Sequence, residues 1–235
     1  MKQLAFEFGA IPPPSLENFI TGRNAELLHN VQRLALAHAG ERIIYVWGAP
    51  GSGRSHLLKG AISAARATGA DAVYLACDRD TRLPAELAAR VCLAVDDVER
   101  LDDRAQVGLF NLCNTMREQQ SALFVSGNVP PARLGLRPDL VTRLGWGLVY
   151  EVHGLSDDEK AQALRQRAAE RGFSLTDEVC SYVMTRAPRD MSTLFSLLDA
   201  LDRYSLEAKR PVTVTLAREL LQTVAQRGTK AGNGR

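Results

Sequence analysis

A glycine-rich segment between an apolar strand and a helix restricts this chain to few folds. Residues 48–55 read GAPGSGRS, after a β-branched run at 42–47 and before a helical pattern at 55–67. Glycines let a backbone fold around an anion with its N–H groups pointing inward, and the N-terminus of the following helix adds a favourable dipole. The spacing fits the phosphate-binding loop GxxxxGK(S/T), except that Arg54 stands in place of lysine. An ordinary glycine-rich turn is the alternative interpretation.

Two further strand ends carry polar groups that suit a nucleotide. One apolar run ends in Asp96 and Asp97, the Walker B arrangement, and a later one ends just before Asn128. Asp96 would hold Mg²⁺ through water, with the Ser55 hydroxyl as a metal ligand, and Asp97 would orient an attacking water. Each acid alone is more often a helix cap or a solvated turn. Because α/β proteins gather their ligand sites at the carboxyl ends of strands, the three ends together favour a nucleotide site.

The alternation of strands and helices defines the fold class. Helical patterns of about 10–15 residues separate short strand-like runs, which predicts parallel pairing with right-handed crossovers. We therefore expect an α/β domain with a three-layer parallel sheet over residues 15–154. Its strands are predicted at 42–47, 71–77, 91–95, 122–126 and 148–152.

After Gly154 the strand pattern stops and only helices are predicted. Ser156 and Glu159 form a capping box, and the helical patterns cover 156–171, 176–186, 190–209 and 216–224. These patterns predict a small all-α lid domain over residues 155–227 and a disordered glycine-rich tail at 228–235. At the other end, prolines at 12–14 close an N-terminal arm of residues 1–14.

Composition excludes several classes of protein. Hydrophobic residues make up 46% and charged residues 24% of the 235, which is the average of a globular chain. A net charge of +2 gives no general affinity for nucleic acid. No apolar run reaches membrane length and no signal peptide is recognisable, so we expect a soluble, cytoplasmic protein. The four cysteines form no CxxC pair and are predicted to be buried thiols.

Four segments resemble those of the DnaA-type replication initiators, a clade of the AAA+ ATPases. They read SLENFITG at 15–22, APGSGRSH at 49–56, AVDDVERL at 94–101 and RLGWGL at 143–148. The resemblance extends over roughly residues 15–225. It implies an AAA+ fold that binds ADP or ATP, together with Mg²⁺.

The resemblance also implies roles for single residues. Phe19 and Ile20 would flank the adenine, Asn128 would act as sensor 1, and Arg189 as sensor 2. Arg143 would be an arginine finger, with Arg137 as a rival six residues away. The nucleotide-binding residues are then Phe19, Ile20, Gly48, Pro50, Gly51, Ser52, Gly53, Arg54, Ser55, His56, Asn128 and Arg189.

Both ends of the chain depart from the initiator pattern. Initiators carry a DNA-binding domain after the lid, and the 25 residues that follow Arg210 are too few for one. In place of the initiators' N-terminal domain stands QLAFEF at 3–8, which looks like a sliding-clamp-binding peptide. In an extended chain the apolar side chains of this peptide point to one side, so its clamp-binding residues would be Gln3, Leu4, Phe6 and Phe8. An edge strand or packing arm is the alternative.

These departures and the resemblance together imply a negative regulator of chromosomal replication initiation. The protein would be held by the sliding clamp, the DNA polymerase beta subunit. It would supply Arg143 in trans to stimulate ATP hydrolysis by the initiator DnaA. DNA would be contacted at most weakly, through the arginine-rich stretch at 165–171. Pairing of the Arg143 face with itself would give a homodimer, and the sequence leaves the oligomeric state open.

Two substitutions bear on the protein's own chemistry. Arginine at position 54 is not equivalent to the usual lysine, and Asp97 is shorter than the glutamate of fast AAA+ ATPases. We therefore expect nucleotide binding with weak or absent intrinsic ATPase activity. The alternatives are an autonomous AAA+ ATPase of the helicase-loader type and a nucleotide-free clamp adaptor.

Overall fold

The structure is a computed structural model that describes residues 13–38, 40–188 and 190–231, with side chains up to residue 223. Two compact units divide the chain after Gly154. One is formed by Pro14–Gly154, and the other includes the residues from Leu155 onward.

The unit before residue 155 is built on five strands: β1 (Ile43–Trp47), β2 (Ala72–Ala76), β3 (Cys92–Asp96), β4 (Ala122–Gly127) and β5 (Leu148–Glu151). All five are parallel and form one sheet in the order β2-β3-β4-β1-β5. The helices are α1 (Ala25–Ala35), α2 (Arg54–Ala67), α3 (Asp103–Glu118) and α4 (Pro138–Leu144), with 3₁₀ turns at Ala85–Ala89, Val98–Arg100 and Pro131–Arg133. The predicted α/β class with a parallel sheet is confirmed.

Alternation along the central strands creates a core on each face of the sheet. Ile44 and Val46 of β1 pack with α1 and α2, whereas Ile43 and Tyr45 pack with α3 and α4. Neighbouring side chains on a strand point to opposite faces, so both faces of a buried strand must be apolar. The result is the expected three-layer arrangement, with the carboxyl ends of all five strands at one edge.

The second unit consists of helices in its described residues. They are α5 (Asp157–Glu170), α6 (Asp177–Arg186), α7 (Met191–Ala208) and α8 (Val214–Ala231). Ser156, Thr176 and Asp190 each cap a helix by accepting a hydrogen bond from a backbone N–H of the first turn. Leucines such as Leu194, Leu197 and Leu201 form its core.

Two elements differ from the sequence prediction. Helix α4 has no counterpart in it: the helix has only seven residues and begins with Pro138, which is a favourable first residue of a helix as well as a helix breaker. Helix α8 continues to Ala231, so the first residues of the predicted tail are helical, and residues 232–235 lie outside the described part. The four cysteines are buried and free, as predicted.

No helix within residues 13–38, 40–188 and 190–231 has the length and hydrophobicity needed to cross a bilayer.

Candidate nucleotide-binding site

The glycine-rich loop joins β1 to α2 at the carboxyl edge of the sheet. Gly51 and Gly53 have φ values of +79° and +107°, which L side chains rarely adopt. Gly53 is the N-cap residue of α2, and without a side chain it leaves the first N–H groups of the helix uncapped. Backbone N–H groups at such a helix start attract anions. The local geometry is therefore that of a phosphate-binding loop.

Two polar atoms of this loop are buried without a hydrogen-bond partner among the described residues. They are Ser52 Oγ and Arg54 Nη1. The Arg54 side chain is only 11% exposed. Burial of an unpaired donor costs free energy unless a ligand satisfies it, so both atoms point to an anionic ligand in the loop.

Arg54 also contacts the second acid of the Walker B strand. Its Nη2 lies 3.4 Å from Asp97 Oδ1, and Arg100 Nη2 lies 3.7 Å from Asp97 Oδ2. Asp97 adopts a left-handed conformation with φ +59°, which asparagine and aspartate tolerate better than other residues and which turns the chain directly after β3. Asp97, expected to orient a water, is therefore paired with the residue expected to bind phosphate.

The first acid, Asp96, is almost completely buried, with 2% of its surface exposed. The Tyr74 hydroxyl donates to its Oδ2 at 2.6 Å, and the Ser126 hydroxyl donates to its Oδ1. Burial raises the pKa of Tyr74 most, and the hydrogen bond to Asp96 raises it further. A hydrogen bond from the Ser55 hydroxyl to the phenol oxygen of Tyr74 lowers this pKa in part. Tyr74 therefore stays protonated and keeps donating to Asp96.

Residues 15–20 pack against the start of α2. The backbone N–H of Ser15 donates to Asn18 Oδ1, and the backbone N–H of Asn18 donates to Ser15 Oγ. His56 Nε2 lies 2.7 Å from Asn18 Oδ1 and 3.1 Å from Ser15 O. A Cβ at Gly60 would lie 2.9 Å from the backbone of Ser15, so only glycine permits this approach. His56 fastens this segment to α2, and its predicted contact with a nucleotide stays a prediction.

The ring of Phe19 reaches the phosphate-binding loop from this segment. Its Cε2 lies 3.0 Å from the position of a Cβ on Gly53, and its ring meets that of His56 at 5.7 Å in an edge-on contact. Phe19 is buried and Ile20 is half-buried. The structure thus brings Phe19 to the loop, and its contact with adenine stays a prediction.

Asn128 is exposed directly after β4. Its neighbour Gly127 pairs in register with Trp47, the last residue of β1 before the loop. Asn128 therefore lies beside the phosphate-binding loop at the same edge of the sheet.

Arg143 lies at the opposite edge, where the strands begin. It belongs to the last turn of α4, and its guanidinium carbon stacks 3.6 Å from the ring centre of Trp146, just before β5. Its Nε donates to Asn114 Oδ1 at 2.8 Å. The four steps along β1 that separate the two edges amount to about 13 Å. Arg143 therefore faces away from the loop of its own chain.

The described neighbours that hold Arg143 are neutral side chains and not carboxylates. Within the described part of the chain it forms no salt bridge, and the side chains that hold it are the neutral Asn114, Phe110 and Trp146. Arg117 stacks on Trp146 as well, at 4.5 Å from the ring centre. The rival Arg137 instead forms two contacts with Asp139, at 2.9 and 3.2 Å.

Similarity to known proteins is found in both units. Residues 157–221 match the family described as the Hda lid domain. Replication initiator DnaA bound to AMPPCP and single-stranded DNA has a similar structure, with a TM-score of 0.68 and 24% identity over 84% of this chain and 68% of that one. Residues 157–221 are therefore similar to an Hda lid domain, and the chain as a whole has the fold of DnaA.

Two other solved structures support the same AAA+ fold. Domain III of the Thermotoga maritima replication initiation protein DnaA gives a TM-score of 0.68 at 18% identity, over 91% of this chain and 98% of that one. The Thermotoga maritima RuvB Holliday junction branch migration motor gives 0.63 at 15% identity, over 91% and 72%. The AAA+ fold and the all-α lid predicted from the sequence are confirmed.

Five predicted residues lie outside the described residues. They are Arg189, between α6 and α7 of the Hda-type lid, and the clamp-binding residues Gln3, Leu4, Phe6 and Phe8. Conversely, Tyr74, Ser126, Asn114 and Gly60 support the site without having been predicted to do so. Tyr74 is a typical strand residue and only its pairing across the sheet brings it to Asp96, so no local signal announces it.

Proposed function

We propose that this Hda/DnaA-type protein is a clamp-associated negative regulator of chromosomal replication initiation. It binds an adenine nucleotide, ADP or ATP, and supplies Arg143 in trans to stimulate ATP hydrolysis by the initiator DnaA. The observation that carries the proposal is the match of residues 157–221 to the Hda lid on a chain with the DnaA-type fold.

Nucleotide binding is supported by the loop itself. Ser52 Oγ and Arg54 Nη1 are buried donors that a phosphate would satisfy. Phe19 lies against Gly53, where it would shield the base and close the site from one side. A DnaA structure from Aquifex aeolicus with a similar fold, at 22% identity and a TM-score of 0.66, is AMPPCP-bound.

The role of Arg143 is supported by its place and its partners. It stacks on Trp146 at the edge opposite the loop of its own chain, so its natural target is a phosphate held by a neighbouring subunit. An arginine finger raises the hydrolysis rate by about 10³–10⁵-fold because it stabilises charge in the transition state. Asn114 and Trp146 hold the guanidinium without neutralising it, which suits that role.

Weak hydrolysis by the protein itself follows from the pairing of Arg54 with Asp97. A carboxylate bound to a guanidinium is a poorer acceptor for the proton of a water. The nucleotide would then act as a structural ligand of this chain, and the hydrolysed nucleotide would be the one bound to DnaA.

The clamp contact rests on the sequence of residues 3–8. Gln3 offers a donor and an acceptor to the rim of an apolar pocket, and Leu4, Phe6 and Phe8 would enter it. Each buried side chain contributes about 1.5–3 kcal/mol, which the ordering of the segment partly offsets. A ring with several such pockets strengthens weak single contacts.

Reconstitution tests the proposal. DnaA loaded with labelled ATP is mixed with DNA-loaded clamp and this protein, and released phosphate is measured. We expect wild type to stimulate hydrolysis, R143A to abolish stimulation, and R137A to retain it because Arg137 is already paired with Asp139. The double variant Q3A/L4A should fail to co-purify with the clamp. It should lose stimulation in reactions that depend on the clamp.

Each alternative predicts a different result. Rapid hydrolysis by the protein alone would indicate an autonomous AAA+ ATPase. Stimulation without binding of any adenine nucleotide would indicate a nucleotide-free adaptor. Full stimulation by R143A would reject the arginine finger.

A further inference from the structure

The two residues expected to hold Mg²⁺ are joined by a tyrosine. In a phosphate-binding loop the serine hydroxyl is a ligand of the ion, and the Walker B aspartate holds it. Here the Tyr74 hydroxyl donates to Asp96 at 2.6 Å, and the Ser55 hydroxyl interacts with the same phenol oxygen. Tyr74 is thus a hydrogen-bond partner of both Asp96 and Ser55.

Asp96 is also poorly placed to accept hydrogen bonds from the waters of an ion. Tyr74 donates to one of its oxygens and Ser126 to the other, and because only 2% of the residue is exposed, little room is left for waters at the remaining lone pairs. Mg²⁺ gives up its waters reluctantly and needs acceptors arranged around an octahedron. The side chains of Ser55 and Asp96 therefore do not fit Mg²⁺ as their spacing in the sequence suggests.

Arg54 provides a buried positive charge at this site. One arm of its guanidinium, Nη2, lies 3.4 Å from Asp97, while the other arm, Nη1, is buried without a partner in the described residues. A guanidinium presents its donors as a rigid fork, so one arm can stay on a carboxylate while the other binds a phosphate oxygen. A lysine ammonium has no such second arm.

We propose that this site binds a nucleoside diphosphate without a divalent cation, with Arg54 in place of the ion and Tyr74 closing the ion's position. The inference rests on the proposed nucleotide binding and specifies how that same site works. Asp96 then has a structural role, because its hydrogen bonds with Tyr74 and Ser126 tie β2 and β4 to β3.

Calorimetry of the full chain with ADP tests this inference directly. ADP is titrated once with excess MgCl₂ and once with excess EDTA. We expect dissociation constants that agree within about twofold, which corresponds to less than half a kcal/mol. A second titration adds MgCl₂ to the ADP-loaded protein, and we expect it to give no more heat than free ADP explains.

Two variants examine the residues. Y74F removes the hydroxyl and frees one Asp96 oxygen and Ser55, so binding should become about tenfold or more dependent on Mg²⁺, the worth of a hydrogen bond to a charged group. Y150F is a matched control, since Tyr150 on β5 also donates to a carboxylate, Glu26, at 2.9 Å but lies outside the loop. Its two dissociation constants should stay equal.

The outcomes separate this inference from the proposed function. Binding that occurs only with MgCl₂ would overturn the inference and leave nucleotide binding intact. Absence of binding in both buffers would overturn both. If the ADP dissociation constants with MgCl₂ and with EDTA are equal in wild type and also equal in Y74F, Tyr74 does not close the position of the ion. The wild-type titrations decide the main point even where a variant unfolds.

Discussion

Two arginines at opposite edges of one sheet have contrasting environments. Arg54, at the carboxyl edge, is 11% exposed and has one arm on Asp97. Arg143, at the other edge, is half-buried and is held by Trp146 and Asn114. The first arginine is fixed by a charge and the second by neutral groups.

This difference explains what each residue is suited to do. A buried ion pair fixes geometry and neutralises charge, but adds little net stability. A cation stacked on an aromatic ring keeps its positive field, because the ring orients it without cancelling it. Arg54 is therefore suited to a resident ligand, and Arg143 to a phosphate presented by another molecule.

Replacing Arg143 by lysine should have the largest effect. Lysine retains the charge but loses the planar stack on Trp146 and the Nε bond to Asn114. Because a finger is worth about 10³–10⁵-fold, we expect stimulation of DnaA hydrolysis to fall by about 100-fold or more. The measurement is phosphate release in the reconstituted reaction, at saturating protein.

The complementary change at the other edge serves as its control. R54K preserves the charge at the loop and leaves the Arg143 edge untouched. It should weaken ADP binding, and stimulation of DnaA hydrolysis at saturating protein should fall much less than in R143K. Equal losses in R143K and R54K would show that the two edges do not act separately.

Gly60 tests how the nucleotide edge is assembled. Alanine at this helical position gains up to about 1 kcal/mol from helix propensity, but its Cβ would lie 2.9 Å from Ser15 and Leu16 backbone atoms. Overpacking costs about 1–3 kcal/mol, so we expect G60A to lower the free energy of unfolding and to weaken ADP binding. Urea denaturation and calorimetry measure the two effects.

A second glycine-to-alanine variant controls for G60A. A methyl group added at Gly135 would have no atom within 4 Å, so G135A should leave ADP affinity unchanged. A gain of stability in G60A would mean that the segment at residues 15–20 yields easily and does not position Phe19.

The contrast between the two edges was only partly predictable. The loop at 48–55 and the acids at 96 and 97 are local patterns: glycine spacing and a strand end announce them. Tyr74 and Asn114 act through partners 22 and 29 residues away, which only the packed structure brings into contact. The position of Arg143 follows from α4, a helix too short for its apolar pattern to be recognised.

Trp146 determines how firmly Arg143 is held. Stacking of a cation on an aromatic ring is worth about 0.5–2 kcal/mol, so W146A should reduce stimulation by about 2- to 30-fold. W146F keeps a ring and should fall between wild type and W146A. Both variants should bind ADP as wild type does, because Trp146 lies at the opposite edge from the loop.

Phosphate release at saturating and at low protein then separates binding from orientation. A lower maximal rate would indicate loss of orientation of Arg143. An effect confined to the concentration needed for half-stimulation would instead assign Trp146 to contact with DnaA.

The smallest expected effect concerns pH at the nucleotide edge, where the partly exposed ring of His56 is involved. Burial lowers the pKa of His56 most, and the positive charge of Lys59 lowers it further. The hydrogen bond with Ser15 O raises this pKa in part. Between the lowered value and the ordinary 6.5 the unfolded chain binds more protons than the folded one, so stability rises with pH. The contribution of neutral His56 to the free energy of unfolding is complete above pH 6.5 and is lost as the pH falls through the lowered pKa.

Thermal unfolding of wild type at a series of pH values should show this loss of stability in acid, and H56Q should show less of it. The exposed His29 of α1 provides the control H29Q, which should follow wild type; an identical profile for H56Q would contradict the assignment.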